Sequence, residues 1–471
     1  MDSKYKSLGI NTILVFIGKL GSGLITFLML PLYTRWLGPD QFGLAELVNT
    51  YSNITLSIAT CCMADAIFIF PKTSDIEGKC KYYSSGLVVA FIGILLAFLL
   101  SFVLKSDLFT KFGTFHTNSF HIALLSSCLF FQNYTQQFTR SIDKMKVYSL
   151  SGIVLSGAIA IYAFLLIPFW GADGYIYSLA LASITTAFYT FFASGSYNYF
   201  NLHCLDNKYA YDLLKYGVPL IPNSVMWWLV DGINRPIMEA ELGLAAIGIY
   251  AVASKFPSVL NVITGAFSNA WGISVSEEYG KEDFNRYFNQ IFKLVFFLLM
   301  VFSLLMSFLS KPIIRLFAAP EYIEAYKILP ILLLSVMLSN ASGLIGGIFM
   351  ARKQSKFFFY SSIYGAMVSV ICTLCLINIY GTLGVAWAAV ASFFVMTIVR
   401  LYFAWKDINQ MNITYYLSAF ILYLLFVWVF FSFVGVVKYI LLGTLFVIYM
   451  MMNQKLILSV VLLMKSKYIK R

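Results

Sequence analysis

The chain predicts an all-α integral membrane protein of about fourteen transmembrane helices, and three observations carry that prediction. Of its 471 residues 60% are hydrophobic and 11% charged, with a mean hydropathy of +0.81, a composition that soluble globular domains do not have. Apolar runs of about 20 residues recur along its length, and a run of that size crosses a hydrocarbon core of roughly 30 Å at 1.5 Å per residue. The alternating strands of about ten residues that build a membrane barrel are absent from the pattern.

Taken in order, the first span lies near 8–30. It follows Lys4 and Lys6, is interrupted at Lys19 and has no small-residue cleavage signature, so it reads as an uncleaved helix and not as a signal peptide. Five more spans are expected near 42–70, 83–104, 119–139, 149–169 and 174–195. The polar stretch 196–216 reads as a linker. A second set opens near 217–238, where Pro219, Pro222 and Pro236 break the helix, and continues near 244–270, 289–309, 325–349, 358–379 and 384–404. Two further spans lie near 414–434 and 438–463.

The chain also repeats itself. Leu37-Gly38 and Phe42-Gly43 recur 205 residues later as Leu242-Gly243 and Ile247-Gly248, while Lys146, Gly171 and Gly174 recur 210 residues later as Lys356, Gly381 and Gly384. An offset of six spans preserves membrane orientation, so parallel repeats are expected. The domain reading is an N-terminal six-helix bundle over 1–200, a C-terminal six-helix bundle over 201–410, and two additional helices with a basic tail over 411–471.

Charge sets the expected topology. Twenty-one basic residues fall in one set of loops and segments, among them Arg140, Lys144, Lys146, Arg352, Lys353, Lys356 and Arg400, against eight in the other. The positive-inside rule then puts both termini in the cytoplasm, and the same asymmetry explains most of the net charge of +12. Basic residues dispersed over short loops do not make a nucleic-acid surface. Neither a phosphate loop nor an HExxH motif occurs, and the three histidines (His116, His121, His203) lie in or near loops or span ends, which argues against ATP-driven transport or metal chemistry. The seven cysteines are scattered, and Cys372 and Cys375 form a CxxC without a second pair, which reads as packing.

Ionisable groups inside the spans are the candidate functional residues, because a charge in lipid is expensive and usually faces a protein-lined cavity. Lys19 and Lys255 lie about 16 and 15 Å from the nearest span end, close to the midplane. They are read as cavity-facing cations, with ion pairing to Asp231, Asp65 or Glu46 as the alternative. Arg235 and Arg35 lie near the outer interface, and Asp231 stands four residues before Arg235, placed to neutralise it. Asp65, Glu46 and Asp231 are candidates for ion pairing or for coupling to H+ or Na+. Asn223, Trp227, Trp228 and Asn234 share the seventh span, where amides beside aromatic rings suit sugars.

Two stretches resemble a known family. FIGKLGSGLITFLMLPLYTRWLGPDQFGLAELVNTY near the N-terminus, and GVPLIPNSVMWW with LGLAAIGIYAVASKFPSVLNVITGAFSNAWGISVSEEY in the second half, are similar to the polysaccharide and oligosaccharide flippases, the Wzx-like branch of the multidrug and oligosaccharidyl-lipid exporter superfamily. Where such proteins commonly carry a Ser-Asp-Arg-like triplet, this chain reads Gly232-Ile233-Asn234-Arg235. The resemblance implies two six-helix bundles around a cavity that alternates between the two faces of a bacterial inner membrane. It implies as substrate an undecaprenyl-pyrophosphate-linked oligosaccharide bound for O-antigen or capsule, with a polymerase and a chain-length regulator as partners, no nucleic acid and no cofactor. Lys19, Lys255, Arg235 and Arg35 would then face the pyrophosphate. The rival readings are a cation-coupled multidrug exporter, a lipid II flippase and, against its short outer loops, a membrane glycan polymerase.

Overall fold

The computed structural model describes residues 18, 21–23, 25, 27–106, 113–354 and 356–458, apart from the side chains of 263, 266, 269, 270 and 273. Lys19 lies outside the described residues. The described chain is helical almost throughout. Its α-helices of seven residues or more are α1 (Leu30–Trp36), α2 (Pro39–Ala59), α3 (Met63–Ile69), α4 (Ile76–Leu104), α5 (Ser119–Ser141), α6 (Met145–Ala193), α7 (Asn207–Gly217), α8 (Ile221–Asp231), α9 (Asn234–Leu242), α10 (Leu244–Glu278), α11 (Phe284–Phe308), α12 (Ser310–Phe317), α13 (Ala325–Ala351), α14 (Lys356–Tyr380), α15 (Thr382–Ala404), α16 (Ile413–Ser432) and α17 (Gly435–Met452).

Among the described residues nine helices are long and apolar enough to cross a membrane, or ten if α2 and α3, bent by 58°, form one span. The 49-residue α6 counts once there, yet it folds back at Gly171 (φ 53°, ψ −125°) into two spans. The more polar α5, the broken pair α8–α9 and the first span, largely outside the described residues, bring the chain to about fourteen, as the composition predicts. α13 is the most enclosed span, 78% of its apolar window being buried, whereas α4 and α17 are 17% and 11% buried there. Side chains such as Leu96 and Leu99 on α4 are exposed, which in a bilayer means contact with lipid tails.

The repeat is visible in backbone detail. Gly381 (φ 57°, ψ −134°), between α14 and α15, has the conformation of Gly171. A Cβ on Gly174 would lie 2.5 Å from the Leu166 carbonyl oxygen, and one on Gly384 would lie 2.3 Å from that of Leu376; each glycine lets a tight hairpin close. Asp143 (φ 60°) and Lys353 (φ 56°) both take the left-handed conformation rare for residues with a Cβ. Around Asp143 the N–H groups of Lys144 and Asp143 donate to the carbonyls of Thr139 and Arg140 at 3.1 and 3.2 Å. Around Lys353 those of Gln354 and Lys353 donate to Phe349 and Met350 at 2.9 and 3.0 Å. Both are Schellman caps, and every pair differs by 210 residues.

Three local expectations are revised. The break in the seventh span falls at Gly232 and Ile233, between α8 and α9, and not at the prolines, which sit in first turns or in the short 3-10 turn Val218–Leu220 where a missing N–H costs nothing. Between α2 and α3, Cys61 and Cys62 adopt φ values of 50° and 52° and bend the second span; a Cβ on Gly217 would lie 2.1 Å from the Cys61 carbonyl oxygen, so this elbow is filled by the end of α7. Arg400, assigned to a basic loop by its position, is instead 1% exposed on α15. Its Nε donates to Ser361 Oγ at 3.0 Å and its Nη1 to the Ser342 carbonyl at 2.9 Å, in space left open by Gly346.

Candidate substrate cavity

The repeat-related helices α2 and α10 cross in direct backbone contact. A Cβ on Gly43 would lie 2.0 Å from the Leu244 carbonyl oxygen, and one on Gly248 would lie 2.0 Å from that of Pro39, so only glycine fits at either position. The same end is tied by Tyr322, whose hydroxyl donates to the Leu37 carbonyl at 3.0 Å, and by the Ala319 N–H donating to Thr34 Oγ1 at 3.1 Å. The Thr114 N–H donates to Glu239 Oε1 at 2.6 Å.

Beyond this seam the helices part around a cavity of about 600 Å³, within the range of small-molecule sites. α2 turns Glu46, Asn49, Thr50 and Asn53 toward it, and α10 turns Tyr250, Ser254, Lys255, Ser258 and Asn261; both sets have the spacing of one helix face. α8 and α9 add Trp227, Trp228, Asp231, Asn234 and Arg235, and α13 adds Ser335 and Ser339. A second cavity of about 550 Å³, lined by Ser22, Gln136, Tyr148 and Ser151 among others, shares Lys255, Ser258 and Asn261 with the first.

Glu46, 3% exposed, is the electrostatic centre. Its Oε1 accepts from Lys255 Nζ at 2.7 Å and from the Tyr175 hydroxyl at 3.4 Å, and Arg235 Nη2 stands 3.7 Å from Oε2. Arg235 Nη1 also donates to Thr50 Oγ1, while Thr50 Oγ1 donates to the Glu46 carbonyl at 2.8 Å and the Trp228 indole donates to the Thr50 carbonyl at 3.2 Å. A carboxylate of α2 is thus gripped by cations of α9 and α10. The expected pairing of Arg235 with Asp231 does not form, because the break at Gly232 puts the two on different helices; Arg235 pairs with Glu46 instead. Lys255 is both cavity-lining and ion-paired.

The other sequence-derived candidates scatter. Asp231 is exposed in the cavity. Asn234, 3% exposed, accepts from Thr373 Oγ1 at 2.8 Å and so braces α9 against α14. Trp228 is committed to Thr50, while Trp227 is 40% exposed with its ring available to the cavity. Arg35, Asp65 and Asn223 line neither cavity. Sequence reasoning missed Asn49, Asn53 and Asn261, although polar residues three and four apart in apolar spans were a signal for them.

About fourteen spans, backbone turns repeated 210 residues apart and an ionic cavity among the described residues define a membrane transporter of the multidrug and oligosaccharidyl-lipid exporter fold. The chain belongs to the polysaccharide biosynthesis protein family, whose model matches residues 8–272, and the MatE model matches 236–375. The uncharacterized membrane protein MJ1375 of Methanocaldococcus jannaschii is 25% identical over 257 residues, 51% of this chain and 60% of that protein; the match therefore spans less than two thirds of that relative. Among solved structures, lipid II flippase MurJ in an inward closed conformation is similar with a TM-score of 0.72 at 17% identity, covering 95% of this chain and 99% of that one. An inward-facing multidrug resistance MATE family transporter is similar with a TM-score of 0.65 at 14% identity, covering 84% and 95%. At these identities the likeness is one of fold.

Proposed function

We propose that the protein carries an undecaprenyl-pyrophosphate-linked oligosaccharide from the cytoplasmic to the outer leaflet of a bacterial inner membrane, for O-antigen, capsule or a related surface glycan. The observation that supports this most is the Lys255–Glu46–Arg235 cluster inside a polar cavity, in a chain of the polysaccharide biosynthesis family. A pyrophosphate needs fixed cations away from bulk water, and Lys255 and Arg235 offer them. Those cations are already engaged, and with Glu46 and Asp231 the ionisable lining is formally balanced. Substrate binding is then an exchange of one anion for another. Lys19, a residue of the first span, adds a third cation in this reading, while Arg35 and Asp65, away from both cavities, take no part in binding.

Bundles over 1–200 and 201–410 are the moving bodies, the shared backbone turns 210 residues apart support their common origin, and 411–471 is peripheral to them. The positive-inside rule applied to the basic loops favours cytoplasmic termini, and in that orientation the Gly43–Gly248 seam closes the outer side. A polymerase and a chain-length regulator would take the product onward. Lipid II flipping is the second reading, favoured by the likeness to MurJ, and it uses the same pyrophosphate chemistry.

The test is reconstitution in proteoliposomes with two fluorescent cargoes, lipid II and a polyprenyl-pyrophosphate oligosaccharide without peptide, followed by a membrane-impermeant quencher. Protection of the oligosaccharide alone from the quencher, lost on removing the protein, is the expected result. Protection of lipid II alone selects the second reading, and protection of neither ends both. Exchange of anions also predicts that Glu46→Gln tightens binding of inorganic pyrophosphate by about tenfold, a step of only about 1.4 kcal/mol, and slows turnover because release loses its competitor. Calorimetric titration of the purified variant checks this, and unchanged affinity would show that Glu46 does not compete.

A further inference from the structure

The cluster at Glu46 is the head of a longer feature. From Glu46, α2 places Asn49 and Asn53 along the cavity at three and seven residues; from Lys255, α10 places Ser258 and Asn261 at three and six. Both helices run away from the Gly43–Gly248 seam, so two polar lanes extend about 10 Å from the ion pair in the same direction. Neither lane carries a charge.

The amides are oriented. Asn340 Nδ2 donates to Asn261 Oδ1 at 3.1 Å and to the Val336 carbonyl at 2.8 Å, which uses the Asn261 acceptor and leaves its NH2 group for the cavity. On the facing helix Asn53 Nδ2 donates to the Asn49 carbonyl at 2.8 Å and to Asn49 Oδ1 at 3.3 Å. Among the described residues, the Asn53 oxygen and the Asn49 NH2 group then remain for a ligand, in the assignment the hydrogen-bond network favours. The lanes therefore present donors from Asn49 and Asn261 and an acceptor from Asn53. A hydroxyl both donates and accepts, so adjacent hydroxyls of one sugar can satisfy all three. Asn53 and Asn261 are exposed in the open cavity, so selection arises once a bound sugar covers them, when an amide left unpaired disfavours a ligand lacking its partner.

We propose that Asn49, Asn53 and Asn261 form a subsite for the hydroxyl groups of an uncharged sugar attached directly to the phosphate, positioned by Asn340 behind Asn261. The inference rests on the reading that Lys255 and Arg235 take the pyrophosphate. It assigns selection among cargoes to the amides and leaves the cations to hold what every cargo shares.

The experiment compares two probes on the purified full chain in nanodiscs: a short-chain polyprenyl pyrophosphate, and the same lipid carrying one N-acetylhexosamine. Wild type is expected to bind the glycosylated probe more tightly. Asn261→Leu and Asn53→Leu should each weaken that probe by about tenfold, the scale of one or two hydrogen bonds, and leave the bare pyrophosphate within twofold, which also reports that the variants are folded. Equal weakening of both probes, no weakening of either, or no preference in wild type overturns the subsite. Failure of wild type to hold the bare lipid, with amide-dependent binding of the glycosylated one intact, sinks the cationic reading and leaves the subsite standing.

Discussion

Lys255→Ala should abolish transport and lower stability together, and the two losses should separate in a double variant. Removing the ammonium leaves Glu46, 3% exposed, with Arg235 Nη2 at 3.7 Å as its remaining cation. Breaking a buried pair by deleting one partner costs about 3–5 kcal/mol. Transport should fall by about 100-fold or more, the equivalent of about 2.7 kcal/mol, if that ammonium is one of the two cations that hold the proposed pyrophosphate. Lys255→Arg keeps the charge and should keep most of both properties. In the double variant with Glu46→Gln, no carboxylate is left without its ammonium, so thermal stability should recover while transport stays lost. If transport returns with stability, Lys255 serves only the fold; melting curves and flipping rates on the four proteins of that cycle decide it.

Gly248→Ala should hold the seam open. The added methyl would stand 2.0 Å from the Pro39 carbonyl oxygen, backbone against backbone, so neither side can yield by a rotamer change. Overpacking of this kind costs about 1–3 kcal/mol, charged only to the state in which α2 and α10 touch, and this moves the balance between closed and open forms by roughly 5- to 150-fold. Cavity labelling reports it: in a Ser254→Cys background lacking the seven native cysteines, a maleimide added on the seam side should react at least about tenfold faster in Gly248→Ala. An unchanged rate would mean that the seam is not what seals that end. Gly43→Ala should act the same way against Leu244.

The fold was legible in the sequence because its main determinants are local. Hydropathy counts spans without knowing their neighbours, and the glycines carry the repeat because Gly171 and Gly381 take a positive φ that a side chain disfavours while Gly174 and Gly384 face a carbonyl oxygen that a Cβ would meet. The site was legible only in part. Lys255 could be recognised from depth alone, since no ammonium lies at the midplane unaccompanied. Its partner Glu46 could be named only as one of three candidate carboxylates, with Asp231 and Asp65, because it is 209 residues away and eight residues past Gly38, close to a turn by the count of residues. For Arg235 the sequence leaves substrate binding and pairing with Asp231 as alternatives, and the pairing requires an unbroken helix, which fails at Gly232. Arg400 was misread for a related reason: four residues from a helix end suggested a loop, while the pocket that takes its guanidinium is made by Ser342, Gly346 and Ser361 on two other helices.

The crossing of Gly43 and Gly248 is made of main chain alone. Such a contact has no charge to be screened by salt, no group to titrate and no side chain through which cargo could be sensed. If the proposed cavity binds a glycan, closure and recognition would occupy different chemistries on the same two helices, and the polar residues farther along α2 and α10 would be free to change with the cargo while the crossing stays the same. A series of related carriers could share one latch and differ only in the lining behind it.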